Sequence, residues 1–155
     1  MTEVPDIVAA PAGRVSPRAV TAALLAWVWP GLGHLFLGRR SKGLVLMGTI
    51  LALFVLGVGM DSRLQIHLGL EDPLALLFSL AQMGAGAPYL LARLGGYGAP
   101  ATLDELNLLV KSPSYEYGNT FTAVAGLLNI LILLDALDTA RGLKDPQPES
   151  AQPRP

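Results

Sequence analysis

Cysteine is absent from the 155 residues. Its absence removes disulfides, thiolate metal sites and cysteine nucleophiles together. Charge is scarce as well: Asp, Glu, Lys and Arg make up 15% of the chain, against about a quarter in an ordinary soluble domain. The formal net charge is −1, and no basic stripe with interleaved aromatics occurs, so nothing points to nucleic acid as a partner. Gly31-Leu32-Gly33 lacks both the third glycine of a dinucleotide fingerprint and the Lys-Ser/Thr of a phosphate loop, and no strand pattern precedes it. His34 and His67 form no metal-ligand pattern. Ser79 has no base at helical spacing. These gaps lead to the expectation of no enzyme activity, no cofactor and no metal.

What the chain does have is apolar length. Hydrophobic residues make up 52% and mean hydropathy is +0.47, an excess for which lipid is the natural solvent. The fold class expected is an all-α integral membrane helical bundle of about four hydrophobic segments, at 19–37, 43–60, 74–92 and 119–138. A flexible tail is expected over 1–17, a membrane domain over 18–142 and a disordered proline-rich tail over 143–155. Because the first long apolar run starts only at Ala19, no cleavable signal peptide is expected there, and Arg14 and Arg18 beside the run suit an uncleaved signal anchor.

The stretch Trp27 to Arg40 organises the rest. Ser16-Pro17 is a helix start, with the hydroxyl as cap and proline in the first turn. Thirteen residues after Pro17, Pro30 forbids a helical hydrogen bond and restricts Trp29, while Gly31 and Gly33 loosen the backbone. The helix should kink or stop there. If 19–37 crosses as one unit, its 19 residues approach the roughly 20 needed for about 30 Å of hydrocarbon. If it stops at Trp29 it is re-entrant or interfacial. His34 at the break is expected either to hydrogen-bond the freed backbone or to meet Asp135 across the bundle.

Gly43 to Met60 is the clearest span, 18 uncharged residues with ten from Leu, Val, Ile and Phe. Those ten favour insertion by on the order of 3 to 6 kcal/mol. Gly48 and Ala52 on it form a small-xxx-small pair suited to close helix approach. A polar loop, Asp61 to Asp72, follows. In 74–92, Ser79, Gln82, Gly86, Tyr89 and Arg93 share one helical face, with Pro88 expected to bend the helix near its exit. In 119–138, Asn119, Thr122, Gly126 and Asn129 form a second such seam. Polar seams turned to lipid would lack partners, so the two are expected to face each other inside the bundle. Between them, Thr102 and Glu105 fit a capping box for an amphipathic surface helix near 103–111. Asp135 and Asp138 are expected at a helix boundary beside Arg141, or as a proton-handling pair. Lys and Arg divide six to five with four full spans, and seven to four if the first segment only dips in, so the second case fits the positive-inside rule better.

Gly33, His34, Phe36, Leu37, Gly38 and Arg39, with Pro30 and Gly31 before them, resemble the signature of the two-transmembrane-helix domain family. That family carries an acidic residue late in its second helix, for which Asp135 is the counterpart here. Over about residues 18 to 142 the chain is also similar to small bacterial multi-spanning proteins of unknown function. The matching features are this signature, Tyr115-Glu116-Tyr117-Gly118, Ala125-Gly126-Leu127-Leu128-Asn129 and Leu134-Asp135. The resemblance implies the bacterial inner membrane, a compact bundle and no known catalysis. The function expected is structural or accessory, through helix–helix contacts with other membrane proteins or with itself. The alternative is a small transporter or channel with a path lined by Gln82, Asn129 and Asp135.

Overall fold

Ser16 opens the first helix, its Oγ accepting from Ala19 N at 3.2 Å with Pro17 in the first turn. In the computed structural model, which describes residues 16–142, α1 covers Pro17–Val28 and α2 Leu32–Phe36. The long α3 covers Arg40–Gly59. A second short pair, α4 (Pro73–Met83) and α5 (Ala87–Leu94), precedes α6 (Leu103–Val110) and the long α7 (Tyr115–Ala140). The described residues form an all-helical bundle without strands. The expected tails at 1–15 and 143–155 lie outside the described residues.

By length and composition α3 and α7 can each cross a membrane, and α4–α5 is a third candidate only if its bent pair counts as one span. The two long helices run antiparallel. Lys42 and Asp135 meet at one end, and Gly57 lies against Gly118 and Thr122 at the other. Small residues permit this closeness: a Cβ on Gly57 would stand 2.8 Å from the Gly118 carbonyl oxygen.

The first segment reverses. Ala19, Ala22 and Ala26 turn a flat, buried stripe of α1 inward, and Gly33 of α2 fits between Ala22, Ala26 and Ala136 of α7. At Trp29 the backbone is extended, as proline requires of its predecessor. Gly31 then takes φ +82°, which returns the chain on itself. Arg18 and Arg39 end on the same pocket beside Thr139, whereas the Trp27 carbonyl meets Asn129. Ten residues of α7 separate those levels, about 15 Å at 1.5 Å per residue. The hairpin therefore reaches partway along α7 and comes back.

The third segment reverses too, and from the opposite end. It is not one helix bent at Pro88: the break falls at Gly84–Gly86, with an angle of 101° between α4 and α5. Pro88 belongs to the first turn of the new helix, because without an N–H it cannot bond the Gly84 carbonyl four residues back. Gly86, at φ +72°, presses so closely on the Trp27 carbonyl that a side chain there would collide with it. From this tip α5 returns toward the α7 start, where Arg93 reaches Leu64 and Gly98 lies on Ser62. Hairpin plus long helix thus occurs twice, in opposite directions, with the hairpin tips touching.

The polar loop Asp61 to Asp72 sends Ser62 and Leu64 into the interior at 1% and 0% exposure. The surface helix is as the capping box predicts, with Glu105 N donating to Thr102 Oγ1 at 3.2 Å. Its reciprocal bond comes from Ala101 N, one residue earlier than in a standard box.

Candidate functional site

The two polar seams meet, and they do more than pair with one another. Gln82 Nε2 donates to Thr122 Oγ1 at 2.9 Å, which joins them directly. Most of the remaining bonds go to the backbone of 62–67. Arg63 N donates to Asn119 Oδ1 at 2.9 Å, Gln65 N to Gln82 Oε1 at 3.0 Å and His67 N to Ser79 Oγ at 3.0 Å. On the acceptor side, the Arg63 carbonyl takes Gln82 Nε2 at 3.0 Å, the Leu64 carbonyl takes Arg93, and the Gln65 carbonyl takes the Tyr89 hydroxyl. Leu64 N completes the set with the Gly98 carbonyl at 2.8 Å. A non-helical backbone packed partly buried against apolar helices needs its donors and acceptors satisfied, and here side chains supply most of the partners.

Asn129 performs the same task at the hairpin tips. Its Nδ2 donates to the Gly84 carbonyl at 2.9 Å and to the Trp27 carbonyl at 3.3 Å. The first is the carbonyl that Pro88 leaves without a helical donor. One amide therefore ties both breaks to α7. Gly126, one turn earlier, lets α4 lie so close that an added Cβ would overlap the Ala81 carbonyl.

His34 is directed to Asp135 across the bundle rather than to the backbone of the break. Its Nε2 lies 2.6 Å from Asp135 Oδ2, and Lys42 Nζ reaches the same oxygen at 2.5 Å. His34 is fully buried, while the Asp135 and Lys42 side chains are 20% and 40% exposed. Arg39 N, in the same signature, donates to the His34 carbonyl at 2.9 Å, and Gly38 supplies a left-handed turn with open space around it. Pro30, Gly31 and Gly33 are buried at the reversal, whereas Phe36 is exposed. Asp138 lines a groove of about 530 Å³ between α3 and α7, together with Lys42 and Asp135. No group of three or more His, Asp or Glu able to hold a metal occurs among the described residues.

The Asp135 contacts are unequal. The exposed Lys42 side contributes at most about 1 kcal/mol, whereas a buried hydrogen bond to a charged group contributes about 1.5 to 3 kcal/mol. Asp135→Leu is accordingly expected to lower stability by about 2 kcal/mol, and Lys42→Met by less than about 1 kcal/mol. Thermal melts in detergent check the ranking. Equal losses would mean that the histidine contact carries no special weight.

Sequence reasoning missed Ser62, Arg63, Gly84 and Lys42. Gly84 was within reach of it, since every proline inside an apolar run orphans the carbonyl four residues back. Ser62 and Arg63 offered no signal, because a loop's path through a bundle depends on tertiary packing.

Comparisons with curated proteins and with solved structures return no match. A family model does match, over residues 21–147, a range that takes in all but the first turn of the first hairpin, the second hairpin, both long helices, the His34–Asp135 contact and the Asn129 tie, and the chain belongs to that family of unknown function, DUF6677.

Proposed function

We propose that the protein is a multi-pass component of a bacterial inner membrane, structural or accessory in role, that acts through helix–helix contacts rather than catalysis. Its kinship with the two-transmembrane-helix domain family, from Gly33-His34 through Gly38-Arg39, belongs to the same reading. The observation that carries it is how α3 is covered. The seam side chains are engaged inside the bundle, yet Val45, Gly48, Ala52, Val55 and Gly59 form an exposed stripe along α3. A Cβ on Gly48 or Gly59 would meet nothing within 4 Å. A small-residue face of this length suits close approach by another helix.

Charge supports an orientation. Among the described residues, Arg18, Arg39, Arg40, Lys42 and Arg141 gather at the end where α7 finishes. Arg63, Arg93 and Lys111 lie at the other end, with Asp61, Glu71, Asp72, Asp104, Glu105 and Glu116. The positive-inside rule assigns the first end to the cytoplasm.

One observation favours transport as a second reading. Two broken helices meet at mid-bundle, as in many transporters, and the buried Asn129 Oδ1 there has no hydrogen-bond partner. The absence of native cysteine makes the test clean. Gly48→Cys, introduced singly, is expected to give cross-linked species in isolated membranes, and Leu131→Cys, on an exposed face of α7, is not. Absence of cross-linking at position 48, together with a proton or solute flux across proteoliposomes, would put transport in its place.

A further inference from the structure

At the end where α4 and α7 begin, Gln65, Asp72, Phe78, Tyr115, Glu116 and Asn119 line a pocket of about 370 Å³. Its size falls within the about 300 to 1,000 Å³ of small-molecule sites. Asn119 is 6% exposed, and its Oδ1 accepts from Ser62 Oγ at 3.2 Å and from Arg63 N at 2.9 Å. Its Nδ2 donates to nothing among the described residues and is left to the pocket that the residue lines. Gln65, beside it, is engaged only through its backbone N–H and carbonyl, so its amide is a second unused polar group at this wall. A side-chain donor this far buried ordinarily has an acceptor, and here only an occupant of the pocket can bring one.

The charge around this amide is negative. Two carboxylates line the pocket, and no Lys or Arg does. Asp72 commits Oδ1 to Leu74 N and Ala75 N, both at 3.1 Å, and has Oδ2 to spare. The exposed Glu116 carboxylate makes no hydrogen bond or ion pair among the described residues. The N-termini of α4 and α7 both open here, and their half-positive ends offset about one of the two carboxylates. About one negative charge remains, the complement of a single ammonium. Phe78 and Tyr115 supply aromatic rings, whose faces attract a cation.

We infer that this pocket binds an organic ammonium that carries an acceptor oxygen beside its charge. The ammonium sits between Asp72 and Glu116, and Asn119 Nδ2 donates to the oxygen. An ethanolamine phospholipid headgroup and a free amino alcohol present the same chemistry. The lipid source rests on the membrane reading above, which puts Tyr115 and Tyr117 at headgroup depth; the ammonium chemistry does not.

The test uses the full chain, delipidated in detergent, with native mass spectrometry reading adducts of phosphatidylethanolamine and phosphatidylglycerol at equal concentration. Saturation-transfer NMR of free ethanolamine forms a separate arm. The wild type is expected to prefer phosphatidylethanolamine by about tenfold, the weight of one charge-assisted hydrogen bond. Asp72→Asn and Glu116→Gln should each abolish the preference, while Asp104→Asn, at the same end but outside the pocket, retains it. Asparagine caps a helix as well as aspartate does, and Glu116 is exposed, so neither melting temperature should fall, which separates lost binding from lost fold. If the lipid preference is missing or survives in both variants, but the ethanolamine signal is lost in Asp72→Asn and Glu116→Gln, the site stands with a soluble amine. If both probes bind these variants as they bind the wild type, the proposal is overturned, whatever the cross-linking at position 48 shows.

Discussion

Gln82→Leu is expected to lower the unfolding free energy by about 2 to 5 kcal/mol. The leucine fits by volume, so the loss comes from three abandoned partners. Gln65 N, the Arg63 carbonyl and Thr122 Oγ1 all bond this one amide. A single interhelical hydrogen bond in a membrane protein is worth only about 0.6 to 2 kcal/mol. Backbone groups of a non-helical segment have no intrahelical alternative, however, and each left buried without a partner costs about 1 to 3 kcal/mol. The damage should also be local. Hydrogen exchange at Gln65 and its neighbours should accelerate more than exchange in α3, because 62–67 can swing out while the long helices stay paired. A variant with wild-type melting and unchanged exchange at Gln65 would show that the buried path of this segment is not held by Gln82.

Asn129→Asp is expected to be nearly as severe and more diagnostic. The change hardly alters volume but replaces a donor to two carbonyls, Gly84 and Trp27, with a carboxylate that can only accept when ionised. Two acceptors would then face a third. The loss should be about 2 to 4 kcal/mol near neutral pH, from two orphaned carbonyls at about 1 to 2 kcal/mol each. It should shrink as pH falls, since the protonated acid regains one donor. The expected pattern is a melt that improves on acidification in the variant and not in the wild type. Equal stability at neutral pH would mean that the hairpin tips hold together without this amide, and that glycine packing at positions 84, 86 and 126 suffices.

Both expectations concern breaks in apolar segments, where reading the chain and seeing it folded diverge most. The Pro30-Gly31 interruption was legible because proline and glycine act locally, through a missing N–H and a permissive φ. That the chain then turns back instead of continuing was not legible. Reversal depends on Gly33 finding Ala22 and Ala136, residues on other turns and on another helix. In 74–92 the even spacing of Ser79, Gln82, Gly86, Tyr89 and Arg93 suggested one face of one helix. Ser79, Gln82, Tyr89 and Arg93 do converge, but around a 101° break and on a shared target, the backbone of 62–67. The His34–Asp135 contact spans 101 positions, and its two chemical types made it imaginable without making it necessary.

Residue order alone determined the solvent class of the long segments, the helix starts at Ser16 and Thr102, the interruption at Pro30, and which positions were too polar to face lipid. Each of these follows from interactions within a few residues. Only the tertiary structure decided that two segments break and turn at mid-bundle from opposite ends, that Ser62 and Leu64 of a loop are buried, and that Asn129 ties the two tips. Those outcomes rest on buried hydrogen-bond groups finding partners far along the chain, and a local pattern can require a partner without naming it.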